Sequence, residues 1–202
     1  MTRKERDFLR QRKEIMLTAL TLFSEKGFSS VSMQEIAQKS EFAVGTLYKF
    51  FPTKDALYGE ILKEKVMELH SLLIEALNIR GNEIKKLKTF VERKIQWFKQ
   101  NIDYVRLYVT ETIGMGFINK DELNQIKEKI HNELIFEIRR LFKSGIEKKL
   151  FKEIDPYLLA LSFNGIANGF LFEMIDNKEI QKINPDIILD IFLNSVSLKG
   201  LQ

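Results

Sequence analysis

The chain contains no cysteine. Disulfide frameworks and thiolate metal sites are therefore excluded, and a reducing, cytoplasmic setting is expected. Only three prolines and ten glycines interrupt its 202 residues, so long helices are permitted almost throughout. Histidine is scarce: His70 and His131 stand far apart, and no HExxH, CxxC, GxSxG or phosphate-loop pattern accompanies them. Glu133 and Glu137 follow His131 at helical spacing, a pattern that solvated helix faces also produce. Catalytic residues, metal ligands and cofactors are not expected, and the chain reads as a non-enzyme. The charged stretch from Met1 to Glu14 carries no apolar secretion signal.

What is present is an ordinary globular balance, 45% hydrophobic and 30% charged, with a net charge of +4. That excess is compatible with DNA binding and does not demand it. The most apolar stretch, Tyr157 to Ile175, approaches the length of a membrane span. Asn164, Asn168 and Glu173 are spread along it, which favours a helix buried between other helices over one in lipid. No strand-like alternation occurs, so the expected fold class is all-α.

Three helical signals open the chain. Ile15, Met16, Ala19, Leu20, Leu22 and Phe23 share one face of a helix that Gly27 ends. Arg3 to Lys13, ahead of it, reads as a basic, partly frayed helix start suited to lie against phosphates. Ser32-Met-Gln-Glu35 has the form of a capping box and opens a short helix with Ile36 and Ala37 inward. Ser40 to Ala43 reads as a tight turn, and Val44 to Phe51 as a second short helix ended by Pro52. Thr53 caps the next helix, which runs to about Leu77. Two short helices joined by a tight turn behind a longer one make a helix-turn-helix module. Beyond Gly81 the periodicity predicts helices at about 83–101, 104–115, 121–149, 156–176 and 184–199. Asp121, Asp155 before Pro156 and Asn184 before Pro185 supply N-caps.

The segment from Gly27 to Leu57, GFSSVSMQEIAQKSEFAVGTLYKFFPTKDAL, resembles the DNA-binding signature of TetR-type regulators. A glycine-aromatic pair, a helix-opening serine, Ile-Ala, Gly-Thr-Leu-Tyr, an aromatic pair and Lys-x-x-Leu follow in order and without gaps. The resemblance implies a three-helix DNA-binding domain at 1–53, with its recognition motif at 32–51. It also implies a larger helical-bundle domain at 54–202 for ligand binding and dimerisation. Residue by residue, Ser32 and Gln34 are implied to face the DNA backbone. Ala43, Val44, Gly45 and Thr46 are implied to lead the recognition helix into the major groove, with Tyr48 and Lys49 on its exposed side and Lys54 on a phosphate. Hydroxyls, a phenol and an ammonium group suit phosphate contacts, and Gly45 lets the backbone approach closely. Ser32 suits a helix cap equally well, and the two roles are compatible. Glu41 departs from the pattern, standing where the turn commonly carries glycine, so the turn is either of another type or strained. Ala43 and Val44 stand where polar residues are frequent. Their contacts are apolar, as to thymine methyls, which shifts weight to DNA shape.

The resemblance further implies dimerisation through the last two long helices. Leu161, Phe163, Ile166 and Phe170, with Ile188, Phe192 and Val196, belong to apolar sets covering more than one helix face, and a second stripe implies a partner. Gly165, Ala167 and Gly169 allow close approach. Trp97, Phe98, Tyr104, Tyr108, Met115, Phe117 and Phe136 are candidate pocket walls, although core packing accounts for each taken singly. A thin polar inventory points to a small hydrophobic or amphipathic effector. The expected function is a ligand-released repressor that binds a palindromic operator in double-stranded DNA as a homodimer, with no membrane partner. The alternatives are a TetR-like architectural or cell-division DNA-binding protein without an effector, and a helical lipid- or protein-binding module.

Overall fold

The computed structural model describes residues 1–114, 120–175 and 184–198, the side chains of 109–123 excepted. Their regular elements are all helices: α1 (Arg3–Lys26), α2 (Met33–Lys39), α3 (Val44–Phe50), α4 (Lys54–Leu77), α5 (Glu83–Gln100), α6 (Ile102–Gly114), α7 (Lys120–Glu147), α8 (Pro156–Glu173) and α9 (Pro185–Val196). Phe151 and Ser197 form an isolated antiparallel bridge. The all-α fold class follows from these elements, and among the described residues no helix is long and apolar enough to cross a membrane.

Local chemistry sets most of the helix starts. Ser32 Oγ accepts from the Glu35 N–H at 3.1 Å, and Thr53 Oγ1 from the Ala56 N–H at 3.0 Å. Asp155 Oδ1 accepts from the Tyr157 N–H at 2.7 Å, and Asn184 Oδ1 from the Asp186 N–H at 3.0 Å. The capping box expected at Ser32 is only half made, because the Glu35 carboxylate pairs with Lys26 instead of reaching back. A complete box stands elsewhere. Thr2 Oγ1 accepts from the Glu5 N–H at 3.2 Å and Glu5 Oε2 accepts from the Thr2 N–H at 2.8 Å. α1 therefore starts at Arg3 with both orphan donors satisfied, not as a frayed end. α7 starts at Lys120, one residue before the expected cap Asp121.

Two compact units emerge: Met1–Val66 with Ile102–Asn124, and Met67–Asn101 with Gln125–Gln202. In the first, Ile15, Ala19, Ile36, Leu47, Leu57 and Leu62 are buried, and the rings of Phe23, Phe28 and Tyr58 lie within 5.9 Å of one another. In the second, Phe163 packs against Phe90, Phe142 and Phe192 at centroid distances of 5.5, 6.0 and 5.3 Å. Gly145, inside α7, serves this core. A Cβ built there would lie 2.3 Å from the ring of the fully buried Phe151, so the glycine's helix cost is accepted to seat that ring.

Candidate nucleic-acid interface

α2 and α3 bury Met33, Ile36, Ala37 and Leu47, and Ser40 ties off α2 by donating its hydroxyl to the Ile36 carbonyl at 2.7 Å. With that face sealed, Ser32, Gln34, Ala43, Gly45, Tyr48 and Lys49 are left exposed, while Val44 and Thr46 are half-buried. Tyr48 is 46% exposed, a high value for a large ring with no core role. At Gly45 a built Cβ meets nothing within 4 Å. The fold itself does not require glycine there, and its absent side chain leaves the α3 backbone open to a close partner.

Glu41 settles the turn. Its φ is 59°, the left-handed conformation that glycine adopts freely. The turn keeps the glycine geometry and holds a glutamate in it under strain of about 1–2 kcal/mol. Glycine would relieve the strain but widen the unfolded ensemble by about 0.5–1 kcal/mol. Glu41→Gly is therefore expected to raise stability by about 0.5–1 kcal/mol, read as a higher urea midpoint. A lower midpoint would refute the strain.

Lys54 requires a correction. Its ammonium donates to the carbonyls of Phe28 and Val31 at 2.7 Å each and lies 3.5 Å from that of Ser29. It also sits 4.3 Å above the Phe28 ring. Its hydrogen-bonding capacity is used inside the protein, so it fastens the loop between α1 and α2 to α4. The expected phosphate contact is not what this geometry offers.

Residues 15–61 match the family described as bacterial regulatory proteins, tetR family. YerO of Bacillus subtilis, an uncharacterised HTH-type transcriptional regulator, is 25% identical over 202 residues, covering 95% of this chain and 68% of its own. The chain thus spans about two thirds of that relative. Residues 15–61 of this chain thus carry a tetR-type domain. Solved structures agree in fold. PfmR, a TetR-family transcriptional regulator from Thermus thermophilus, superposes with a TM-score of 0.72 at 20% identity, covering 92% of this chain and 98% of PfmR. AibR, crystallised with isovaleryl coenzyme A and operator DNA, gives 0.68 at 17% identity, covering 92% and 97%.

The predicted pocket walls divide between the two units. Trp97 lines a cleft of about 390 Å³ with Glu68, Ser71, Glu75 and Arg93, and its indole N–H donates to Glu68 Oε1 at 2.8 Å. Phe98 lies against Trp97 at 5.8 Å. Tyr104 stacks on Tyr108 at 6.1 Å in the first unit. Phe136 is 54% exposed and so is a surface residue of α7, not a buried wall. Met115 and Phe117 lie outside the described residues.

The predicted dimer residues also need correction. Phe163, Ile188, Phe192 and Val196 are at most 5% exposed and build the core of their own unit. Leu161, Ile166 and Phe170 are half-buried. The outward apolar face of α8 is instead carried by Leu158, Gly165, Gly169 and Phe172, which share one side at i, i+7, i+11 and i+14, and α9 adds Ile187 and Ile191.

One buried group escaped the sequence reading. Lys94 of α5 is 4% exposed, and its ammonium donates to Asn164 Oδ1 at 3.0 Å and Asn168 Oδ1 at 2.7 Å. Burial pushes its pKa down to about 7. Asn164 and Asn168 were visible as polar interruptions of an apolar helix, but nothing local names their partner.

Proposed function

We propose that this chain is a ligand-released repressor, without enzymatic activity, that acts in the cytoplasm and binds a palindromic operator as a homodimer. Residues 1–53 are assigned to gripping DNA and 54–202 to sensing and dimerisation. The observation that carries the reading is the exposed set Ser32, Gln34, Gly45, Tyr48 and Lys49 on a helix-turn-helix whose opposite side is sealed by Ile36 and Leu47. Hydroxyls, amide and ammonium can hold phosphates while the open backbone at Gly45 enters the major groove. The exposed apolar face of α8 and α9 is what a twofold partner would cover. AibR, a structural neighbour, binds operator DNA and an acyl coenzyme A, and a small amphipathic or hydrophobic effector is assigned to this chain by that analogy.

The mechanism follows from geometry. Two recognition helices must sit about one helical turn of DNA apart, so a shift of a few ångströms between subunits breaks register. An effector produces that shift only through its difference in affinity for the two dimer states. The test is binding of the purified protein to its own upstream DNA and to a scrambled fragment at moderate salt. Tyr48→Ala is expected to weaken upstream binding about 10- to 100-fold, as loss of one good contact does. Equal, weak binding to both fragments would overturn the operator-specific reading in favour of an architectural protein.

A further inference from the structure

We propose that the first three turns of α1 form a second DNA contact, a basic clamp that holds backbone phosphates beside the half-site read by α3. This rests on the DNA-binding reading above and adds a contact that the helix-turn-helix signature does not contain.

The first observation is placement. The Phe8 ring lies 4.6 Å from Phe50 at the end of α3. Four residues on, Arg12 pairs with Glu60 and Glu64 of α4 and lies 5.4 Å from the Phe51 ring. All of these belong to the first unit. The arm is therefore registered against the reading head, not merely attached to it.

The second is charge. Arg3, Arg6, Arg10 and Lys13 recur at intervals of three, four and three, which puts them on one helix face, opposite Phe8. All four are exposed. At 1.5 Å per residue the stripe is about 15 Å long, enough to follow several phosphates of one strand. Glu5 is occupied by the cap with Thr2, and Arg10 meets Glu14 at 3.7 Å. Among the described residues, no ion pair holds Arg3, Lys4 or Arg6.

The third is energetic. Cations in the first turn oppose the helix dipole, each by about 0.3–1 kcal/mol. Arg3, Lys4 and Arg6 all stand there, on a helix start that Thr2 and Glu5 hold closed. The free protein gains nothing from that arrangement, whereas a polyanion alongside reverses its sign.

A basic amphipathic helix also suits an anionic bilayer. Met1, Phe8 and Leu9 do form an open apolar cleft of about 590 Å³ with Lys4 and Glu5. Membrane docking, however, would turn the apolar side to lipid, and Phe8 on that side, though half exposed, already rests one side of its ring against the protein's own Phe50. Charge complementarity and continuity with the reading head therefore favour duplex DNA.

The experiment measures the affinity of the full chain for upstream DNA across a salt series, for wild type, the triple variant Arg3→Ala/Lys4→Ala/Arg6→Ala, and the charge-conserving Arg3→Lys/Lys4→Arg/Arg6→Lys. The triple alanine variant is expected to flatten the log K against log salt slope by about 2–3, near 0.9 for each lost phosphate contact. Its preference for upstream over scrambled DNA should stay within about twofold of wild type, because phosphate contacts carry no sequence information. The charge-conserving variant should restore the slope, and equal helical circular dichroism guards against a folding defect. A wild-type slope in the triple alanine variant would overturn the clamp. So would binding of the wild type, but not the variant, to phosphatidylglycerol vesicles with no change of slope on DNA. Loss of the wild type's own preference for upstream DNA would instead overturn operator reading and leave the clamp to be judged by the slope on either fragment.

Discussion

Raising the pH from 7 to 9 is expected to stabilise the wild-type protein by about 2 kcal/mol more than it stabilises a Lys94→Met/Asn164→Leu variant. The cause is the Lys94 ammonium, buried with two neutral partners, Asn164 and Asn168, and a folded-state pKa of about 7 against an ordinary value of 10.5. Here the folded pKa is depressed for a base, so the charged form is the one that folding disfavours. Below pH 7 both states hold the proton and the full penalty applies. Between pH 7 and 10.5 the unfolded chain binds more protons, so stability rises with pH, by up to about 1.4 kcal/mol per unit. The variant has no such group, and all other titrations cancel in the difference. Asn164 is changed along with Lys94 because it is itself buried, and leaving it unpaired would add a separate penalty of about 1–3 kcal/mol. At pH 7 the variant should be at least as stable as wild type, since apolar replacement of a buried polar cluster is commonly neutral or favourable. Urea melts at fixed protein concentration supply the comparison. Parallel pH curves would show that Lys94 keeps its ordinary proton affinity in the fold.

If the chain dimerises through α8 as proposed, Gly165→Leu/Gly169→Leu is expected to leave it a folded monomer. Neither glycine has any atom of its own chain within 4 Å of a built Cβ, and both are exposed, so the new side chains can extend into solvent in the isolated fold. It should even gain, since glycine in an exposed helix costs about 1 kcal/mol relative to good helix formers. These two positions nonetheless lie on one face between Leu158 and Phe172, where bare backbone would let a partner helix come close. Filling that face would hold the partner off. Sedimentation velocity should give a monomer at concentrations where wild type is dimeric, and operator affinity should fall by roughly 10²-fold or more as the second half-site loses its tether. An unchanged dimer would assign the interface elsewhere. Phe163 and Phe192 could not serve the same test, because truncating them would damage the subunit's own core.

The helix-turn-helix was legible because its signals are short. The Ser32 and Thr53 caps act within three residues, and Leu47 is inward because the polar positions of α3 leave it no other role. The same locality misled at two points. A run of cations concealed the Thr2–Glu5 box, and Glu35 took Lys26, nine residues away, in place of its own helix start. In the apolar helices α8 and α9, periodicity marked two hydrophobic faces but carried no label for the inner one.

Sequence alone thus determined the helices, most of their caps and the all-α class, because each depends on neighbours within a turn or two. Only tertiary structure decided what Lys54 and Lys94 do, why Gly145 is glycine and which side of α8 stays open. Lys54 meets carbonyls 23 and 26 residues away, and Lys94 meets amides 70 and 74 residues away. Such pairs are chosen by packing, which brings distant groups together and desolvates them, and no local spacing encodes that choice.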